Sequence, residues 1–348
     1  MTTLRDIAEA AGVSVMTVSN VVNGRHGKVS PATVARVQEL VRDLGYVPNA
    51  SARALSGRAS GIVALVYPDP DPSQPALANA HDATFVGEVQ RQVSASGRFL
   101  MIHAARDVAS TVADLRTWGV DGAIFLGTFG SEVDALRDRY DIPMVFVDNY
   151  SESGSVTTVR IDDARGGDLA ARHLTAAGHT RVAFAGPETA VEGVVRRRLD
   201  GFLHGLREGG ADVQPDLVLP CAMSFRAGHD LAGALLESPR RPTAVFATAD
   251  VIAIGILKGL ADRGLSAPDD LSVVGFDDLS EGEHRSPMLT TIRQDVPAKA
   301  RASVDLLLAA AEEAAEAEGA PRGGRVVLDV ELVERETVGA PRAAGTTP

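Results

Sequence analysis

Eight short apolar runs, each followed by enough chain for a crossover helix, constrain what residues 61 onward can build: IVALVY (62–67), FLMIHA (99–104), GAIFLG (122–127), PMVFVD (143–148), VTTVRID (156–162), RVAFAG (181–186), TAVFAT (243–248) and LSVVGFD (271–277). Continuous apolarity, as opposed to alternation, suits strands buried on both faces, and the intervening lengths predict a parallel α/β arrangement. So many strands are too many for one ordinary open sheet, so two lobes are expected, dividing near 155–162. LTTIRQD (289–295) and VVLDVEL (326–332) are expected to cross back between the lobes, AAAEEAAEAEGAPRGG (309–324) to end a helix and enter a solvated loop, and APRAAGTTP to form a flexible tail.

The first sixty residues have a different grammar. Thr3-Leu4-Arg5-Asp6 fits a capping box, and Leu4, Ile7, Ala8 and Ala11 then share one helical face before Gly12 turns the chain. Ser14 caps a second helix that buries Val18, Val21 and Val22. Ser30-Pro31 opens a third, with Val34, Val37, Val41 and Leu44 as its stripe and Gly45 at its end. Helix, glycine turn, helix, loop, third helix predicts a helix-turn-helix head. The outer side of the second helix (Val15, Met16, Thr17, Ser19, Asn20, Asn23) carries no charge, whereas a solvated helix face carries Lys and Glu. Short polar and apolar groups of this kind suit desolvation against base edges; an ordinary three-helix miniature domain is the alternative.

Composition limits the classes. Over 348 residues, 45% are hydrophobic and 23% charged, a globular balance, and Cys221 alone forms no intrachain disulfide. Met1 to Ala11 includes Arg5, Asp6 and Glu9, so no export signal is read there, and no run reaches the roughly 18 apolar residues of a membrane span. A cytoplasmic protein without membrane contact is expected. Residues 1–60 hold seven basic and four acidic side chains, which leaves −15 of the −12 total on the remainder. Such a head can approach a polyanion that the body would repel.

The run TLRDIAEAAGVSVMTVSNVVNG, with VSPATVARVQELVRDLGYVPNASARALSGR after it, resembles the lactose/galactose repressor family of bacterial transcription regulators. The likeness covers residues 2–58, with a slightly long loop at Gly24–Lys28, and continues more loosely beyond. The resemblance implies that Val15 and Met16 discriminate the operator and that Thr17, Ser19, Asn20 and Asn23 make further recognition-helix contacts. Thr3, Ser14, Ser30, Thr33, Tyr46 and Asn49 match backbone-positioning contacts, which fix register without reading sequence. Many members have arginine or histidine where this chain has Asn20, so the operator is not copied from a relative. In the family, paired hinge helices press a leucine into the minor groove; Leu55 matches it, flanked by Arg53 and Arg58, although in another linker such a leucine would pack on the body.

Ligands of open α/β sheets bind beyond the carboxyl ends of the strands. Asp148 and Asp277 end strands, Asp250 follows one, and Arg198 opens a helical segment. As a set they could hold sugar hydroxyls through bidentate hydrogen bonds; singly, each could cap a helix or face solvent. The resemblance implies that Arg198 and Asp277 bind a sugar or purine, with Asp148 and Gln294 in the same cleft. Ala249-Asp250 stands where the family frequently has asparagine before aspartate, which departs from a simple hexose site. Phe129, Tyr150 and Phe225 are candidates either for aromatic floors or for core packing. His173 and His179 are expected to pack and cap, and Asp69 and Asp71 to lie in a stiff solvated loop.

The expected protein is a small all-α helix-turn-helix head on an α/β body of two parallel-sheet lobes, like a periplasmic binding protein. The expected boundaries are head 1–48, hinge 49–60, one lobe 61–158 plus about 289–325, the other 159–288 plus about 326–338, and a tail 339–348. The expected partners are a pseudo-palindromic duplex operator, a second copy of the chain, and a small effector, a sugar before a purine. No metal or cofactor is expected. A sugar receptor without a DNA role and a sugar- or nucleotide-processing enzyme are the rivals; no GxGxxG follows a strand, and neither GxxxxGK[ST], GxSxG nor HExxH occurs. If Leu55 is a wedge, Leu55→Ala weakens specific operator binding far more than nonspecific binding in gel shifts, and equal losses refute that role.

Overall fold

The computed structural model describes residues 2–22, 24–27, 29–46, 60–68, 77, 79–105, 108–127, 133, 142–151, 156–188, 193–211, 215–316 and 323–342. The chain forms two compact units, residues 1–61 and 62–348. Asn23, Asn49, Arg53, Leu55 and Phe129 lie outside the described residues.

In the first unit, α1 (Leu4–Ala11), α2 (Val15–Val22) and α3 (Pro31–Asp43) pack through Ile7, Ala8, Ala11, Val18, Val21 and Val37. The caps are those the sequence predicts. The Thr3 hydroxyl accepts from the Asp6 amide at 3.3 Å while the Asp6 carboxylate accepts from the Thr3 amide at 2.8 Å. Gly12 then turns the chain at φ 62°, a left-handed conformation that costs a residue with a β-carbon more. Ser14 accepts from the Thr17 amide at 3.1 Å, and Ser30 repeats the device with Thr33 at 3.2 Å. Tyr46 packs against the head core.

The second unit holds two six-stranded sheets. The first has the order β11-β5-β4-β3-β1-β2, built from β1 (Ile62–Pro68), β2 (Phe99–Ala105), β3 (Gly122–Leu126), β4 (Met144–Val147), β5 (Thr157–Ile161) and β11 (Arg325–Leu328), all parallel. The second, β12-β10-β9-β8-β6-β7, contains β6 (Val182–Gly186), β7 (Val218–Pro220), β8 (Ala244–Ala247), β9 (Ser272–Asp277), β10 (Thr290–Gln294) and β12 (Val330–Val333). It is parallel except where β12 runs against β10. Helices α4 (Ala80–Ala95), α5 (Val108–Trp118) and α11 (Val296–Glu316) accompany the first sheet; α6 (Asp163–Ala176), α7 (Val194–Glu208), α8 (Phe225–Glu237), α9 (Asp250–Ala261) and the single turn α10 (Ser280–Glu283) accompany the second.

The crossovers correct the expected lobe boundaries. Residues 159–161 complete β5 in the first sheet, β10 belongs to the second, and VVLDVEL is two strands, β11 in the first sheet and β12 in the second. Each crossing carries an aspartate: Asp162, Asp295 or Asp329. Asp162 and Asp295 also cap the helices they open, accepting from the Arg165 amide at 2.9 Å and the Ala298 amide at 2.7 Å. The short strand β7 was not anticipated; three residues are too few for an apolar run to stand out.

The expected tail is corrected as well: residues 339–342 are docked on the second sheet. His179, 2% exposed, receives the Thr243 hydroxyl at Nδ1 (2.9 Å) and donates from Nε2 to the Gly339 carbonyl (2.9 Å). The Gly339 amide donates to Ser272 Oγ at 3.1 Å, and Arg342 pairs with Asp269 at 3.2 Å. Burial depresses the pKa of His179, against the opposing Gly339 hydrogen bond, and burial depresses His173 likewise. Both imidazoles therefore stabilise the fold while neutral, and that contribution is complete above the ordinary histidine value of about 6.5 and declines as pH falls below it. The thermal midpoint should drop between about pH 7.5 and 5.5, and His179→Asn, less stable at the start, should drop by less over the same interval.

Candidate functional sites

On α2, Met16 is 72% and Val15 43% exposed, Ser14 lies in water, and Thr17, Ser19 and Asn20 are half-buried. Ser14 and Thr17 share a hydroxyl contact of 2.9 Å, which orients the first turn, and Ser30 and Thr33 share another of the same length at the start of α3. No charged side chain interrupts α2. The result is a short, neutral, partly apolar ridge with two capped helix N-termini nearby, a surface able to follow a groove and present amides to phosphates.

In the body, the carboxyl ends of strands from both sheets open onto a cleft of about 240 Å³. Asp148, Arg198, Asp277 and Gln294 line it, as the sequence predicts, together with Tyr67, Asn79, His81, Asp82 and Met223. Asp148 has φ 56° and Asp277 φ 123°, backbone angles that cost energy for any residue but glycine. Strain of this kind concentrates where side chains must be aimed at a ligand.

Two buried networks hold the lining in place. Arg198, with only 7% of its side chain exposed, donates from Nε to Asp163 at 2.7 Å and from Nη1 to the Thr248 carbonyl at 2.5 Å, and its guanidinium lies 3.5 Å from the Phe276 ring centre. Tyr150 donates to the other oxygen of Asp163. Burial pushes the Asp163 carboxyl up, with Arg198 opposing the shift, and burial, then Asp163, pushes the Tyr150 phenol up. The second network centres on Lys299, 1% exposed. Its ammonium donates to Asp148 (2.9 and 3.2 Å) and to Gln294 Oε1 (2.8 Å), leaving Gln294 Nε2 to donate to Asp277 Oδ1 at 2.7 Å. Its 3.4 Å contact with His81 Nε2 makes that nitrogen the acceptor, so Nδ1 carries the proton given to Asp82 at 2.9 Å.

Three candidates fall elsewhere. Asp250 is fully buried, accepting from Thr291 Oγ1 at 2.6 Å and the Leu279 amide at 2.8 Å, and does not line the cleft. It lies where Gly275 has no side chain: a β-carbon there would sit 2.1 Å from Oδ1. Burial, then the nearby Asp277 charge, raises its pKa well above the ordinary value. Tyr150 is held beneath the cleft by Asp163, with Arg160 and Arg197 over its ring at 4.5 and 5.2 Å. Phe225 begins α8, 44% exposed and away from the lining.

Sequence reasoning missed Lys299, Asp163, His81, Asn79 and Asp82. Lys299 had a signal: it stands on the apolar stripe Val296, Ala300, Ser303, Val304, Leu307 of α11, where a lysine must find a buried partner. Close backbone approach fixes Arg198 itself. A β-carbon on Gly167 of α6 would meet the Arg198 carbonyl at 2.0 Å, and one on Gly201 of α7 the Ala164 carbonyl at 1.8 Å.

A structural role for Asp250 predicts that Asp250→Ala lowers stability by about 1–3 kcal/mol, because two buried donors lose their acceptor. The urea midpoint measures it; an unchanged midpoint with altered ligand binding would return Asp250 to the cleft.

Comparison with known proteins identifies the family. Residues 3–49 match the family described as bacterial regulatory proteins, lacI family, and residues 155–338 match the periplasmic binding protein-like domain. The HTH-type transcriptional regulator DegA of Bacillus subtilis (strain 168) is 32% identical over 304 residues, covering 85% of this chain and 87% of DegA. The ribose operon repressor of Escherichia coli (strain K12) is 30% identical, covering 88% and 92%. The Lac repressor dimer bound to operator and the anti-inducer ONPF superimposes with a TM-score of 0.84 at 28% identity, covering 97% of this chain and 99% of that one. With a helix-turn-helix head followed by two sheets that share a cleft, the chain belongs to the lacI family of DNA-binding transcriptional regulators.

Proposed function

We propose that the protein is a cytoplasmic, homodimeric repressor that binds a pseudo-palindromic operator through α2 and releases or gains it when a sugar enters the cleft. The observation that carries this reading is the uncharged outer face of α2, with Met16 and Val15 exposed to water that a DNA major groove would displace. In this reading Val15 and Met16 discriminate base edges, with Thr17, Ser19, Asn20 and Asn23 adding contacts to bases and phosphates. Thr3, Ser14, Ser30, Thr33, Tyr46 and Asn49 set register on the backbone, and Arg53 and Leu55 act in a hinge over 49–60 at the operator centre.

Asp148, Arg198, Asp277 and Gln294 act as the hydroxyl-binding set, offering charged acceptors and forked donors suited to vicinal hydroxyls. Asp148 belongs to the first lobe, whereas Arg198, Asp277 and Gln294 belong to the second. A ligand touching all four favours one angle between the lobes, and a coupling of roughly 1–3 kcal/mol between cleft and hinge is enough to switch occupancy. The relatives are regulators, and the chain acts in this reading by binding alone. Among the described residues no helix is long and apolar enough to cross a membrane. A second copy is supported by the edge strand β2, where Phe99 is 73% and Ile102 46% exposed; an edge so apolar is normally covered.

Fluorescence anisotropy of the full chain with duplexes from its own locus tests the proposal. Selective binding should survive excess nonspecific DNA and fall steeply with salt. A neutral sugar should shift the operator affinity, and Arg198→Ala should abolish the shift while leaving DNA binding intact. Indifference to every duplex at low salt would refute the regulator reading; a sugar response that survives Arg198→Ala would refute the cleft assignment.

A further inference from the structure

Lys299 occupies an unusual place. It lies beneath the cleft and does not line it, yet its ammonium touches three residues that do: Asp148, Gln294 and His81. Through Gln294 it also sets the donor that meets Asp277. One buried cation thus neutralises the first lobe's carboxylate and orients the second lobe's amide.

Its presence decides the charge left for a ligand. Among the described lining residues, Arg198 is the one lysine or arginine, and its Nε is already committed to Asp163. Lys299 is committed to Asp148 in the same way. Asp277 has Gln294, an uncharged donor, as its partner, and Asp82 has the Nδ1–H of His81. Among the described lining residues there are thus three carboxylates, and Arg198, the one cation, is already paired. A phosphate or carboxylate entering the cleft would meet Asp82 and Asp277, carboxylates with uncharged partners, and like charges near a protein surface repel more strongly than in bulk water. Hydroxyl groups face no such penalty, because they donate to the carboxylates and accept from the Arg198 fork.

We propose that Lys299 is a positioning residue that sets the charge class of the effector: it neutralises Asp148 and fixes Gln294 from below, so that the cleft, in which Asp82 and Asp277 have no cation of their own, takes an uncharged polyhydroxylated ligand in preference to anionic ones without becoming a site for amines. This rests on the cleft being the effector site. The proposal makes opposite predictions for the two halves of the ion pair. Asp148→Asn leaves a buried ammonium without a carboxylate, which draws anionic ligands in. Lys299→Met removes the ammonium with little change of volume and leaves Asp148 uncompensated, which draws amines in. Removing one partner of a buried pair strands the other and weakens the fold, so the readout is a ratio of affinities within one folded variant, which a general loss of stability does not move.

Calorimetric titration of the full-length protein with matched probes tests this: ribose against ribose 5-phosphate, and glucose against glucose 6-phosphate, gluconate and glucosamine. In the wild-type protein, whichever neutral sugar binds should do so at least tenfold more tightly than its anionic counterparts. Asp148→Asn should move that ratio at least tenfold toward the anion, and Lys299→Met should move it away while raising the relative affinity for glucosamine. A merely structural lysine would lower all affinities together and leave the ratios fixed. That result overturns the proposal, as does an anionic sugar that binds the wild-type protein best and is lost in Arg198→Ala; in both cases the cleft remains the effector site. If no probe binds, or binding is indifferent to Arg198→Ala, the cleft reading fails and the role of Lys299 fails with it.

Discussion

The guanidinium of Arg198 is gripped from three sides, by the Asp163 carboxylate, the Thr248 carbonyl and the face of Phe276. Those partners come from α6, the end of β8 and β9, so one side chain ties the crossover out of the first sheet to two strands of the second. A buried ion pair contributes little net stability, because desolvation offsets its attraction, but losing one partner leaves the other charge stranded. Here the gain is in position: Arg198 reaches the cleft with its orientation already fixed.

Around that anchor the second sheet is packed tightly enough to transmit position. Phe184, Phe202, Phe246 and Phe276 form a connected aromatic group with neighbouring ring centres 5.2–6.4 Å apart. Glycines on α6 and α7 bring the two helix backbones into direct contact beside it. The strained aspartates Asp148 and Asp277 are held by Lys299 and Gln294 respectively, so the energy of their backbone angles is offset by the same network that aims them.

The strands were legible because burial on both faces writes itself as uninterrupted apolar sequence, and the head because caps, glycine turns and a helical stripe agree locally. Asp148 and Asp277 were legible as polar groups at the ends of such runs, Arg198 as a charge at the opening of a helical segment, and Gln294 only through the family resemblance. What escaped was long-range. Lys299 meets Asp148 across 151 positions of chain, and Asp250 meets Thr291 across 41, so neither pairing leaves a local trace. Asp250 resembled Asp277 in sequence, both close to a strand end; only the missing side chain of Gly275 lets the first turn inward. The docking of residues 339–342 depends on His179, some 160 positions earlier, while their composition alone resembles a loose end.

Three crossings between the sheets also have a consequence for synthesis. The first sheet gains its edge strand β11 at residues 325–328, and the second gains β12 immediately afterward, at 330–333. Neither lobe can finish its sheet until residues 325–333 have left the ribosome, whereas the head has all three of its helices by residue 43. A nascent chain would thus carry all three head helices well before it owned a complete cleft, and a message cut short before the last strands would yield a helix-turn-helix head with two unfinished lobes behind it.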